Sequence, residues 1–191
     1  MEYASFLREH IENLVPLSDE AFEIVLNAFV PHTLSKKEYL ISVGQKVSAE
    51  YLVVKGCLKT AAYDDADKEH IMQFAMENWW VSDYPAYVKK GNAEMDVQAL
   101  EDSFVLGLGM EARAELATKV PQMMTFWERK ALSGYVATQK RVLSLLRNSA
   151  KEKYELLLDQ YPQLFQRVPK KMIAHYLGVS RETLSRLHKY D

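Results

Sequence analysis

Three features of the sequence predict an α+β chain: an N-terminal β jelly roll, one long helix, and a C-terminal helical domain carrying a helix-turn-helix. Between Pro31 and about Gly109, short β-rich runs are broken by turn residues. Around "VPQMMTFWERKALSGYVATQKRVLSLLR", apolar residues recur at threes and fours. The final stretch, "VPKKMIAHYLGVSRETLSRLHKYD", divides into two short helical halves around Gly178. The domains expected from these features are residues 1–118, 119–147 and 148–191.

Helix is expected over roughly Glu2 to Val30, with Ser18 as an N-cap ahead of Asp19 and Glu20, then Phe22, Ile24, Val25, Leu26 and Phe29. The runs "EYLISV", "AEYLVVKG", "CLKTAAY", "HIMQFAM", "MDVQALE" and "SFVLGLG" have strand length, with Gly44 and the "DDADK" segment as turns. Their spacing suggests a jelly roll of about eight strands. In the long helix, Pro121 suits a first turn. One stripe comprises Val120, Met124, Trp127, Ala131, Gly134, Thr138, Val142 and Leu145, and a second comprises Phe126, Leu132, Val136, Leu143 and Leu146. Two apolar sides fit a helix that packs on its own sandwich and on a second copy of the chain; a helix buried on both sides within a monomer has the same pattern. Asn148 or Ser149 can cap the next helix, with Glu152 three residues beyond Ser149 making a capping-box pattern, and Tyr161-Pro162 ends it.

Composition narrows the function classes. The chain has 191 residues, 48% hydrophobic, enough for a substantial core. No apolar run is long enough to span a bilayer, and the acidic N-terminus does not resemble a signal peptide, so a cytoplasmic protein is expected. The single cysteine, Cys57, cannot make an internal disulfide, hold a cluster or build a zinc site, and reads as a small buried strand residue. His10, His32 and His70 stand isolated, without the His/Glu clustering of a metal-dependent jelly-roll enzyme or the pattern of a haem ligand. No catalytic residue, metal ligand or cofactor is assigned. The net charge of −2 conceals a division: from Lys140 to Asp191 there are 11 Lys and Arg against 5 Asp and Glu, so an acidic body precedes a basic end. That separation points to a polyanion.

In "VPKKMIAHYLGVSRETLSRLHKYD", Pro169 opens a short helix whose apolar face is Met172, Ile173, Tyr176 and Leu177. Gly178 supplies the positive φ of a sharp turn, Val179 plugs the junction, Ser180 caps the second helix, and Thr183, Leu184 and Leu187 let it pack. In a helix-turn-helix the start of the second helix enters the major groove. There a guanidinium bonds bidentately to guanine O6 and N7, and a carboxylate accepts from cytosine N4. Arg181, Glu182 and Arg186 have that chemistry and project from one face. Lys170, Lys171, His188 and Lys189 flank them as phosphate contacts; Ser180 and Thr183 complete the candidate DNA-binding set. An ordinary helical hairpin with a salt-bridged surface has the same spacing.

The order of acidic β-sandwich, long helix and terminal "IAHYLGVSRETLSRL" resembles the Crp/Fnr superfamily of transcription regulators over essentially the whole chain. "YLISVGQKVSAEYLVVKGCLKT" is similar to the strand–Gly–strand segment of cyclic-nucleotide-binding domains, with Gly44 and Gly56 at the turns. The resemblance implies a cyclic-nucleotide-binding-like sensor, a homodimer paired through the long helix, and double-stranded DNA as partner, with Arg181, Glu182 and Arg186 as base readers. It adds RNA polymerase and a small-molecule effector as further candidate partners. Two departures stand out. Where such domains hold ribose with Gly-Glu and cyclic phosphate with Arg-Ser or Arg-Thr, this chain has Val81-Ser82 and Ala93-Glu94, so cyclic AMP is not expected to bind. Trp79, Trp80, Tyr84 and Tyr87 could line a different, apolar pocket or be core; Trp79, Trp80, Ser82, Asp83 and Thr138 form the candidate effector set. The family's β-hairpin wing after the recognition helix is expected to be absent or vestigial, since four residues follow Leu187.

Overall fold

The computed structural model describes residues 2–187. The N-terminal helical stretch forms two helices, α1 (Glu2–Glu12) and α2 (Asp19–Ala28), rather than one. Ser18 is the N-cap of α2, its Oγ accepting from the Ala21 N–H. The second helix ends before Phe29, which is extended and opens β1 (Phe29–Leu34), so chain assigned to helix as far as Val30 already belongs to the sheet. Phe29 and Val30 favour strand, and Pro31, which lacks an N–H, fits β1 because that strand lies at a sheet edge.

Seven further strands follow: β2 (Tyr39–Ile41), β3 (Ala49–Lys55), β4 (Leu58–Tyr63), β5 (Glu69–Ala75), β6 (Trp80–Val81), β7 (Asp96–Ala99) and β8 (Ser103–Gly109). They make two four-stranded sheets, ordered β1-β8-β3-β6 and β2-β7-β4-β5, as the expected jelly roll requires. The pairings β1–β8 and β3–β8 are antiparallel, with Pro31 opposite Leu106 and Leu52 also opposite Leu106. The turn glycines are where the sequence places them: Gly44 at φ 84° and Gly56 at φ 109°, the latter pressed against Ser103. Cys57 is fully buried but sits in the turn, one residue before β4.

The strand alternation gives the first sheet two apolar faces. Leu34, Val53, Leu58, Val81, Val97 and Val105 fill the sandwich interior. On the opposite face Leu52, Leu106 and Leu108 meet Leu7 and Ile11 of α1, Val25 of α2 and Leu116 of α4 (Met110–Lys119). A short helix absent from the sequence expectation, α3 (Tyr84–Lys89), follows β6. Its signal is present in "SDYP", an Asp N-cap with Pro in the first turn.

The long helix is α5 (Gln122–Arg147), 26 residues. Met123, Phe126 and Trp127 are buried on the sandwich, whereas Met124, placed on a packing stripe by its spacing, is 56% exposed. From Leu132 onward both stripes are open to solvent: Leu132, Tyr135, Val136, Val142, Leu143 and Leu146 are all exposed. The packing thus changes along the helix rather than only around it. Three short helices and a last one complete the chain: α6 (Ala150–Gln160), α7 (Pro162–Arg167), α8 (Lys170–Leu177) and α9 (Arg181–Leu187). The chain divides into two compact units, residues 1–60 with 74–132, and residues 61–73 with 133–191. The end of the β4–β5 hairpin therefore clusters with the helical region.

Candidate nucleic-acid interface

The helical unit is built on a small apolar centre. The capping box forms as expected: Ser149 Oγ accepts from the Glu152 N–H and the Glu152 carboxylate accepts from the Ser149 N–H at 2.7 Å. Tyr154 meets Phe165 edge to face at 5.2 Å, and Leu157, Leu164, Val168, Ile173, Ala174, Leu177 and Leu184 are buried. Helix α8 starts one residue later than the sequence suggests, with Pro169 as its N-cap. Its buried face is Ile173, Ala174 and Leu177, while Met172 and Tyr176 are only partly covered.

The turn between α8 and α9 closes through the backbone. Gly178 has φ 66°, its N–H donates to His175 O, and the Val179 N–H reaches back to Ala174 O, which satisfies two of the carbonyls a helix end leaves open. Ser180 then caps α9: its Oγ accepts from the Thr183 N–H at 3.1 Å and lies 3.0 Å from Thr183 Oγ1. Leu184 holds α9 to the core. This leaves Arg181, Glu182, Ser185 and Arg186 exposed, and together they line an open concavity of about 400 Å³. Ser185 was not singled out from the sequence; its i+4 spacing from Arg181 puts it on the same face. The Glu182 carboxyl is held below its usual range by its own backbone N–H and the Ser180 hydroxyl, with Arg181 and Arg186 adding to the effect. It is therefore an ionised acceptor at neutral pH, beside two cations that can only donate.

Lys170 and Lys171 are exposed on the first turn of α8, and Lys189, His188 and any wing lie outside the described residues. His175 is partly buried, its Nδ1 3.6 Å from Glu69 Oε2 of the hairpin end. Sequence reasoning missed Arg141 of α5, whose guanidinium donates to Tyr176 O in the last turn of α8. A lone arginine on a long helix carries no spacing signal for a partner 35 residues away.

Neither a protein-family model nor a curated protein matches the sequence. Solved structures do. The c-di-GMP responsive global regulator CLP of Xanthomonas campestris is 14% identical, with 91% of each chain covered and a TM-score of 0.73. FixK2 of Bradyrhizobium japonicum is 18% identical, with 85% of this chain and 83% of that one covered and a TM-score of 0.71. A cyclic nucleotide-binding domain from Methylobacillus flagellatus is 10% identical over 74% of this chain and 83% of that one, with a TM-score of 0.64. The chain has the fold of the Crp/Fnr regulators. Its sandwich is of the cyclic-nucleotide-binding type, and a helical domain follows as in those regulators.

In the segment that the sequence resemblance aligns with the nucleotide cassette, the polar groups are bonded within the chain. Val81 is fully buried, and Ser82 Oγ donates to Ala49 O at 2.9 Å. Asp83 is completely buried, and its carboxylate accepts three backbone N–H groups, from Ala86 at 3.1 Å, Glu94 at 2.8 Å and Met95 at 3.0 Å. Ala93 is buried among apolar residues. Tyr87 belongs to the sandwich interior and Trp79 packs against it, whereas Tyr84 is 38% exposed. Trp80 turns to the other face, its Nε1–H donating to His10 Nε2 at 3.1 Å while His10 Nδ1 lies 3.0 Å from Asn78 Oδ1. Thr138 is exposed on α5, with its hydroxyl bonded back to Gly134 O. Among the described residues no group of three or more His, Cys, Asp or Glu converges as a metal site. His32 instead lies edge-on to Tyr51, and His70 pairs with Asp64 at 2.8 Å.

Proposed function

We propose that the chain is a dimeric, sequence-specific DNA-binding transcription regulator of the Crp/Fnr type that does not respond to cyclic AMP. The observation that carries this reading is the exposed face of α9, where Arg181, Glu182, Ser185 and Arg186 open together next to a capped, glycine-closed turn. Two guanidiniums and an ionised carboxylate on one helix start match the donor and acceptor code of the major groove. Lys170 and Lys171 supply phosphate contacts on the preceding helix, with Ser180 and Thr183 able to add hydroxyls. Lys189 belongs to the same basic set by sequence.

Dimerisation rests on α5, whose apolar residues from Leu132 to Leu146 are exposed over about four turns. A second copy laid along that seam pairs two recognition helices, for half-sites about one helical turn apart. Regulators of this kind are not enzymes and act in the cytoplasm; among the described residues no helix is long and apolar enough to cross a membrane. RNA polymerase follows as a partner if the output is activation. The absence of a cyclic-AMP response rests on Ala93 and Glu94 and on the capture of the Glu94 and Met95 N–H groups by Asp83. A small-molecule effector, if one acts on the Trp79, Trp80, Ser82, Asp83 and Thr138 set, must then have different chemistry.

Genome-wide mapping of bound sites followed by footprinting tests the DNA reading. Replacing Arg181 and Arg186 with Ala together is expected to weaken operator binding by about 4 kcal/mol, roughly a thousandfold, at unchanged sedimenting mass. Operator binding left intact in that variant refutes the assignment of these two residues. Micromolar heat of binding for cyclic AMP in calorimetry refutes the second half of the proposal.

A further inference from the structure

The end of the β4–β5 hairpin and the helix-turn-helix belong to one compact unit, and one side chain touches both. Arg141 Nη2 donates to Tyr176 O at 3.0 Å and to Ile71 O at 3.2 Å. Its guanidinium carbon also lies over the Tyr176 ring, 4.1 Å from the centroid. In the same last turn of α8, Ala174 O and His175 O accept from the Val179 and Gly178 N–H groups. Ile71 lies in β5, the edge strand of its sheet, where alternate carbonyls face away from the ladder. A cation at a helix C-terminus is favourable, and a planar fork with several donors can serve two acceptors and a ring face at once, which an ammonium cannot.

Two further contacts converge there. Leu145, one turn along α5 from Arg141, would lie 3.8 Å from a Cβ at Gly178, and His175 Nδ1 is 3.6 Å from Glu69 Oε2. The last turn of α8 is therefore set by α5 and the hairpin together, and α9 starts four residues after Leu177. We infer that Arg141 is a positioning residue for the DNA-reading helix: by holding Tyr176 O and Ile71 O with one guanidinium nitrogen, it fixes the turn from which α9 is aimed. This rests on the DNA-binding reading above and assigns to it a residue that touches no DNA.

The test uses the full chain with Arg141→Lys and Arg141→Met. Binding is measured to the mapped operator and to unrelated duplex, with active protein counted by stoichiometric titration. A misaimed α9 should lower operator affinity by roughly tenfold in both variants while affinity for unrelated DNA, set by phosphate contacts, changes by less than about twofold. Loss of fold alone would reduce the active fraction and leave the ratio of the two affinities unchanged, which overturns the inference. Full operator preference in Arg141→Lys overturns it as well, because charge would then suffice. Hydrogen exchange without DNA gives a second arm: the amides of Gly178, Val179 and the Asp64–Ile71 hairpin should all exchange roughly tenfold faster in Arg141→Met, and an unchanged pattern refutes the clamp. If the native chain shows no operator preference but the exchange arm behaves as expected, the DNA reading falls and Arg141 stands as the residue that fixes the turn.

Discussion

The segment from Asn78 to Met95 and the segment from Ser180 to Arg186 each contain a helix start, yet they dispose of their polar groups in opposite ways. In the first, Asp83 is buried with three backbone N–H donors, Ser82 is bonded to Ala49 O, and the Asn78, His10 and Trp80 side chains form a closed chain. In the second, the Ser180 cap and the Glu182 carboxyl with its own N–H are the internal contacts among the described residues, and Arg181, Glu182, Ser185 and Arg186 are exposed. A ligand entering the first must displace bonds already made, at about 1–3 kcal/mol for every buried group it leaves unpaired. A ligand meeting the exposed Arg181 and Arg186 side chains displaces solvent. The polar groups of the sandwich segment are thus engaged within the chain, whereas the side chains on the α9 face are open to solvent.

The sharpest way to break that contrast is to remove the internal anion. Asp83→Ala strips the acceptor from the Ala86, Glu94 and Met95 N–H groups at once and should lower the unfolding free energy by about 4 kcal/mol, read from the urea midpoint at constant slope. Asp83→Asn, which keeps an oxygen but loses the charge, should give about half of that. A loss below about 1 kcal/mol in the alanine variant would mean that the carboxylate does not close this segment.

A slightly smaller effect comes from the neighbouring histidine. Burial, reinforced by the nearby Lys130, lowers His10 to about 4, against a hydrogen bond to Asn78 that raises it. The folded state therefore binds the extra proton less well than the unfolded chain, whose histidine titrates near 6.5. The stability from keeping His10 neutral is whole above that value and is lost as pH falls toward 4, by about 3 kcal/mol in all. His10→Gln cannot take up that proton, so its stability should fall about 3 kcal/mol less than the native chain's between pH 7 and pH 4. Parallel curves for the two proteins would show that the Asn78–His10–Trp80 chain does not resist protonation.

What was legible in the sequence follows the same division. The Ser18, Ser149 and Ser180 caps, the Gly44, Gly56 and Gly178 turns and the strands β2 to β5, β7 and β8 are local signals, set by a few neighbouring residues, and they appear where the sequence places them, whereas β1 and the short β6 do not. The exposed face of α9 is legible for the same reason, because i and i+4 neighbours share a side of any helix. Asp83 with Glu94 and Met95, and Arg141 with Ile71, join residues distant along the chain, and no period in the sequence marks them. The two stripes of α5 show the limit from the other direction. Their spacing is correct, but what covers each stripe changes at Leu132, and periodicity describes a face without naming what lies against it.

The mildest probe sharpens the open side of the contrast. Gly178→Ala places a Cβ at φ 66°, where the nearest heavy atom is Leu145 Cδ2 at 3.8 Å, an ordinary contact. The cost is therefore backbone strain without a clash, about 1 kcal/mol of stability. Because the Gly178 and Val179 N–H groups depend on the left-handed turn, relaxing it should loosen the start of α9 without unfolding the helical unit. Differential scanning calorimetry should show a fall of a few degrees, about 3 °C for a chain of this size, while operator affinity drops by more than that loss of folded protein explains. Equal, small changes in both would mean that the turn sets stability alone and that α9 is aimed by its contact through Leu184.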